Sequence, residues 1–121
     1  MKVNSLLILA CVAASLWAWQ QDPLFAQRNL IFSFDNLEKG KVWTLVVALF
    51  VHASVLHLFG NMLFLFVFGS TLEKTVGPRK LILIFFTGGF TSFILGVFFL
   101  PRGTGMLGAS AAIFALAGCV M

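Results

Sequence analysis

Four long uncharged runs limit what this chain can fold into. They cover residues 3–19, 42–72, 81–101 and 103–121. A helix needs about 20 apolar residues to cross the hydrocarbon core of a bilayer, so each run is a candidate transmembrane helix. Only 10% of the residues are charged and 60% are hydrophobic, whereas soluble domains carry roughly 25% charge. The pattern predicts one all-α, polytopic transmembrane helix bundle.

The first two runs differ from simple spans. The N-terminal run resembles a signal peptide, and its ILAC stretch resembles a lipoprotein cleavage box. Its apolar character continues to Trp17 and Trp19, aromatic residues typical of a membrane interface, so we favour a retained helix. The second run is long enough for a span plus a re-entrant or interfacial turn. Residues 20–41 mix apolar and charged side chains, which predicts a structured interfacial loop.

The charges suit a membrane protein better than a nucleic-acid-binding one. The net charge is +4, but the eight Lys and Arg residues are scattered between the apolar runs without a basic stripe. With a cytoplasmic N-terminus, the Lys and Arg residues would divide evenly between the two sides of the membrane. The dense turn over residues 73–80 slightly favours a cytoplasmic N-terminus, and we place the chain in the cell membrane as a multi-pass protein. Cys11 and Cys119 lie in apolar segments and are predicted to be free, buried thiols.

Three polar side chains interrupt the second run. His57 and Asn61 are four residues apart and therefore share one helix face, whereas His52, five residues before His57, is predicted to point elsewhere. This spacing argues against a metal site that uses both histidines. Interhelical hydrogen bonding is the alternative interpretation of the His57 and Asn61 pair.

The last run contains Ser110, which follows Gly108 and Ala109 near the predicted start of a helix. Small residues around it are also typical of close helix packing, which is the structural interpretation. The functional interpretation is a nucleophile near free backbone N–H groups that stabilise an oxyanion. A G-x-S triplet alone does not decide between the two.

Taken together, the motifs resemble those of the rhomboid intramembrane serine proteases. The resemblance runs from about residue 42 to the C-terminus. HASVLHLFGN matches the family pattern H-x4-H-x3-N, GSTLEKTVG matches G-x3-E-x3-G, and GASAAIFALAG matches the G-x-S nucleophile motif. The family fold has six transmembrane helices, so this chain is expected to hold four of them.

The resemblance implies a role for each motif residue. Ser110 would be the nucleophile, and His57 and Asn61 would stabilise the oxyanion. Glu73 would join a polar network at the cytoplasmic end of the second helix. Phe114 would occupy the position where the family packs an aromatic ring against the catalytic imidazole. Close packing and tight turns would involve Gly69, Gly77, Gly108 and Gly118. The chain has Trp43-Thr44 where the family often has Trp-Arg, a departure that bears on the anchoring of the first loop.

The general base of the family is a histidine on the sixth helix, and this sequence ends eleven residues after Ser110. Such a helix rises only about 16 Å, so the chain is interpreted as the N-terminal portion of a rhomboid protease. As such it is expected to be inactive by itself. The implied partners are the lipid bilayer and transmembrane protein substrates, without nucleic acid, metal or cofactor; the oligomeric state stays open.

Two other functions remain as alternatives. One is a non-catalytic rhomboid-like protein that binds client transmembrane helices, which the absent base favours. The other is a small channel or transporter that uses His52 and His57, although no intramembrane carboxylate accompanies them.

Overall fold

The computed structural model describes residues 2–101 and 105–120. In chain order, its helices are α1 (Val3–Ala18), α2 (Pro23–Asn29), α3 (Phe34–Glu38), α4 (Thr44–Phe50), α5 (Val55–Phe64), α6 (Ser70–Val76), α7 (Pro78–Phe99) and α8 (Ser110–Val120), with a π-helical turn, Leu65–Gly69, joining α5 to α6. The predicted all-α fold is confirmed.

Two helical segments have the length and composition to cross a bilayer. The continuous helix Val55–Val76 and helix α7 each contain 22 residues, which at 1.5 Å per residue is about 33 Å. Helix α1 has 16 residues and α8 has 11, so both are shorter apolar helices. Helix α7 begins three residues before the predicted span 81–101, because Pro78 suits the first turn of a helix.

The runs 42–72 and 103–121 are not continuous helices: the first contains a turn, which its length allowed, and the second is helical only from Ser110. In the first, α4 ends at Phe50 and α5 begins at Val55, because the Ser54 hydroxyl caps α5 by accepting a hydrogen bond from the His57 backbone N–H (3.1 Å). In the second, helix α8 begins only at Ser110, and residues 105–109 approach it as a non-helical segment. The remaining residues of that span, 103, 104 and 121, lie outside the described part.

The loop over residues 20–41 is structured, as the sequence predicts. Asp22 and Ser33 cap the short helices α2 and α3. Between them, the buried Asn36 side chain donates hydrogen bonds to the carbonyl oxygens of Gln27 (3.0 Å) and Ile31 (2.7 Å). These bonds hold the two helices together as one compact unit.

The loop is anchored despite the Trp43-Thr44 departure. The Trp43 indole N–H donates to the carbonyl oxygen of Asn29 (3.0 Å), and Lys41 Nζ donates to that of Arg28 (2.9 Å). Elsewhere in the loop, Phe32 exchanges two backbone hydrogen bonds with Met106 (3.0 and 2.8 Å). The loop therefore fixes the segment that leads into α8.

The core lies where α1, α5, α7 and α8 meet. Its buried apolar side chains are Leu7, Cys11, Leu58, Leu65, Leu72, Leu81, Phe85, Ile113 and Leu116. Helices α7 and α8 approach closely because Gly88 faces Ala115, where a Cβ on the glycine would overlap the alanine side chain. Small residues let helix backbones approach in this way inside membranes.

The two cysteines differ in environment. Both are free; Cys11 is buried and Cys119 is exposed. The prediction of a buried thiol is thus confirmed for Cys11 and wrong for Cys119, which lies on a face of α8 that the described residues leave uncovered.

Glu73 caps the first helix. Its two carboxylate oxygens accept hydrogen bonds from the backbone N–H groups of Val3 (2.9 Å) and Asn4 (3.0 Å), which have no acceptor within α1. The Asn4 side chain in turn donates to the carbonyl oxygen of Leu65 (3.0 Å) and packs directly on Gly69, where a Cβ would overlap its amide. The predicted polar network at Glu73 therefore joins α1 to α6.

We predict that Glu73→Gln weakens the docking of α1. The amide offers one acceptor oxygen where the carboxylate offers two, and its NH2 group would face a backbone N–H. The free energy of unfolding should fall by about 1–3 kcal/mol, measured by denaturant titration in detergent micelles. The exposed neighbour Lys74→Gln is the control, and equal stability of the two variants would contradict the capping role.

Candidate functional site

Ser110 is the first residue of α8, and the segment before it makes a sharp turn. Gly108 has φ of +98°, a conformation that favours glycine. Its backbone N–H donates to the carbonyl oxygen of Ala48 (2.7 Å) at the end of α4. As the first residue of the helix, Ser110 has a backbone N–H without an intrahelical acceptor. The local sequence thus places a hydroxyl beside the positive end of a helix dipole.

Two side chains of α5 contact the Ser110 hydroxyl. Asn61 Nδ2 donates to Ser110 Oγ (3.0 Å), and Ser110 Oγ is also 3.2 Å from Asn61 Oδ1. His57 Nε2 lies 3.4 Å from the same oxygen. The four-residue spacing brings both side chains to one face of α5, and that face meets the start of α8.

We assign the tautomer of His57 from its hydrogen-bond partners. The backbone N–H of Ala53 donates to His57 Nδ1 (3.4 Å). Because Nδ1 accepts this bond, the proton of the neutral imidazole lies on Nε2, the nitrogen that faces Ser110. His57 therefore presents a hydrogen-bond donor to the serine hydroxyl.

His52 also lies beside this cluster, contrary to the prediction that it points elsewhere. Its side chain is fully buried, and its ring centroid is 5.0 Å from that of His57. The prediction extended one helix through both histidines, whereas α5 begins only at Val55 and leaves His52 in the preceding turn. Ser54, a favoured N-cap residue, was the available sequence signal for this break.

His52 links the turn to the start of α8. Its Nε2 accepts a hydrogen bond from the backbone N–H of Ala109 (3.2 Å), next to Ser110. On its other side, it contacts Ser15 of α1, and the Trp19 indole N–H donates to its carbonyl oxygen (2.7 Å). Sequence reasoning assigned no role to Ser15 and interpreted Trp19 only as an interface residue, because nothing local marks these contacts.

The glycines and the aromatic residue of the motifs have different environments. A Cβ on Gly108 would lie 2.7 Å from the His57 ring, and Gly77 has φ of +94° in the turn before α7. Gly118 is exposed, and a Cβ there would meet no atom of the described residues within 4 Å, so its packing role stays a prediction. Phe114, one turn after Ser110, is 77% exposed.

Two cavities reach Ser110. One of 620 Å³ is lined by His57, Ser92, Phe93, Met106 and Ser110, among others. The other, of 450 Å³, is an apolar groove between α5 and α8. It is lined by Asn61, Phe64, Phe68, Ser110, Ile113, Phe114 and Ala117. Among the described residues, no group of three or more His, Cys, Asp or Glu side chains is placed to hold a metal ion.

Comparison with known proteins gives consistent matches. The Rhomboid domain family model matches residues 39–121. RHOMBOID-like protein 6, mitochondrial, from Arabidopsis thaliana is 32% identical over 92% of this chain and 40% of its own length. RHOMBOID-like protein 4 from the same plant is 37% identical over 82% of this chain and 27% of its length. Rhomboid-like protease 2 from Toxoplasma gondii is 32% identical over 69% of this chain and 30% of its length.

The chain thus spans less than half the length of these relatives. The match nevertheless includes the turn at His52, helix α5, Glu73 and the whole segment around Ser110. With the two long apolar helices, it makes this a membrane protein. The chain belongs to the rhomboid family.

Proposed function

We propose that this chain carries the nucleophile and the oxyanion-binding groups of an intramembrane serine endopeptidase that cleaves transmembrane segments of other proteins. The contact of Ser110 Oγ with both Asn61 Nδ2 and His57 Nε2 carries this proposal. The name of the Toxoplasma relative, a rhomboid-like protease, agrees with the reaction class. The chain would cross the bilayer several times with its N-terminus cytoplasmic. The cell membrane is the proposed location, although the first Arabidopsis relative is named as mitochondrial.

In this proposal Ser110 attacks the carbonyl carbon of a substrate peptide bond. Once Oγ has bonded to that carbon, the oxyanion is attached to the same carbon and lies close to Oγ. Donors that contact Oγ in the resting site are therefore within reach of the oxyanion. Asn61 Nδ2 and the protonated Nε2 of His57 supply two such donors, and the free N–H at the start of α8 supplies a third.

The tautomer of His57 supports a donor role and argues against its acting as a base. A base would need a lone pair on Nε2, but the Ala53 N–H occupies the Nδ1 lone pair and leaves the proton on Nε2. The Nε2 lone pair of His52 accepts the Ala109 N–H. Serine needs a base within hydrogen-bond reach. We therefore propose that the base comes from outside these 121 residues, as the resemblance implies, and that these residues alone are inactive.

The cavity beside Ser110 gives water and substrate a route to the site. Polar groups at membrane depth persist where they bind one another or line a water-filled cavity. The 620 Å³ cavity, with Ser92 and His57 in its wall, fits that requirement. We propose that it holds the hydrolytic water.

Substitution of Ser110 tests the nucleophile. In the full-length protein reconstituted in liposomes, Ser110→Ala should abolish both fluorophosphonate labelling and cleavage of a transmembrane reporter, because the nucleophile is removed. Ser92→Ala, a serine in the wall of the same cavity, should retain both. Labelling that persists in Ser110→Ala would contradict the proposal.

Substitution of Asn61 tests the oxyanion donor. Asn61→Asp keeps the size of the side chain but replaces Nδ2 with an anionic oxygen that repels the oxyanion. The rate of reporter cleavage should fall by at least about 10²–10³-fold, the usual cost of losing one such donor. Asn29→Asp on helix α2, outside the site, is the matched control. If the cleavage rate falls by less than about 10-fold while the free energy of unfolding is unchanged, Asn61 does not stabilise the oxyanion.

A second candidate is a non-catalytic rhomboid-like protein that binds client transmembrane helices. The apolar groove between α5 and α8 favours it, because its exposed aromatic rings, Phe64 and Phe114, suit packing against another helix. The same labelling experiment separates the two functions. Covalent reaction at Ser110 supports the protease, whereas crosslinking of clients without any labelling supports the binding protein.

A further inference from the structure

A buried cluster joins α1 to the start of α8. Ser15 and His52 are both fully buried. The His52 backbone N–H donates to Ser15 Oγ (3.0 Å), and Ser15 Oγ donates to the carbonyl oxygen of Phe50 (3.2 Å). One hydroxyl of α1 therefore fixes the non-helical turn that follows α4.

The same cluster determines the tautomer of His52. Its Nδ1 lies 3.1 Å from the Phe50 carbonyl oxygen, which only accepts hydrogen bonds, so Nδ1 carries the proton. Its Nε2 faces the Ala109 N–H, which only donates, so Nε2 is the acceptor. Both contacts require one and the same neutral form. This tautomer is the opposite of the one on His57.

We propose that Ser15 is a positioning residue for Ser110. It acts through His52, whose Nε2 holds the Ala109 N–H and so places the first residue of α8 against His57 and Asn61. The effect of Ser15 on catalysis rests on the proposed function of Ser110. Ser15 lies outside residues 39–121, the part that the family model matches, so this contribution comes from the preceding helix.

Two observations distinguish positioning from general packing. Ser15 makes polar contacts with the turn at Phe50 and His52, whereas its neighbour in the core, Cys11, contributes only apolar contact to the cluster around Leu7. The Gly108 N–H is held separately by Ala48, so the backbone just before Ser110 is fixed at two successive N–H groups. His52 supplies one of the two acceptors.

The test uses the full-length protein with ¹⁵N-labelled histidine and backbone. The wild type should show a scalar coupling across the hydrogen bond from the Ala109 amide to His52 Nε2, with the His52 proton on Nδ1. Ser15→Ala should weaken that coupling and slow fluorophosphonate labelling of Ser110 about 3- to 10-fold, the effect of losing one hydrogen bond. Alanine is a good helix former, so α1 should still fold.

Two control variants distinguish the possible outcomes. Ser5→Ala, an exposed serine on the same helix, should leave coupling and labelling unchanged, and His52→Leu should abolish the coupling. Unchanged coupling and labelling in Ser15→Ala, or a wild-type His52 with its proton on Nε2, would overturn the inference. Absence of Ser110 labelling in the wild type, with the coupling intact, would instead overturn the proposed function.

Discussion

The need to pair every buried polar backbone group governs the architecture of this chain. Two helices, α5 and α8, begin within apolar sequence, and the backbone before each of them is not helical. In hydrocarbon such backbone must find partners inside the protein. The two breaks supply them to each other: Gly108 donates to Ala48 and Ala109 donates to His52. The candidate site forms where the non-helical segment before α8 is hydrogen-bonded to the end of α4 and to His52.

This arrangement also explains why the polar side chains form a cluster. A helix start exposes N–H groups and carries partial positive charge, so groups that accept hydrogen bonds are stable beside it. At α5 the acceptors are Ser54 Oγ and His57 Nδ1; at α8 the acceptor is His52 Nε2. His52 uses both ring nitrogens to pair backbone groups, and His57 uses only Nδ1. The remaining nitrogen of His57 is thereby left as a donor that points at Ser110.

The sequence predicted regular features well and interruptions poorly. The i, i+4 spacing of His57 and Asn61, the turn at Gly77 and the structured first loop follow from local rules, and the structure agrees with them. The length of the run 42–72 allowed a turn, but the position of the break before α5 was not predicted, because apolar composition continues through it. His52 was misplaced for that reason. Its partner Ser15 is 37 positions away, a separation at which local pattern carries no information.

The resting contacts of Ser110 bear on how the proposed nucleophile is activated. Ser110 Oγ donates to Asn61 Oδ1 and accepts a hydrogen bond from Asn61 Nδ2. Neither of these contacts with α5 removes the proton of the hydroxyl. In the proposed function, a base would therefore approach from another side of Ser110. Phe114, four residues later, shares a face of α8 with Ser110 and is exposed. In the proposed function, a base that enters over Phe114 would take the proton from Ser110 Oγ, and the hydrogen bond from Oγ to Asn61 Oδ1 would be lost. Asn61 Nδ2 and His57 Nε2 would then stay free to donate to the oxyanion, so that activation and oxyanion binding use different groups around one hydroxyl.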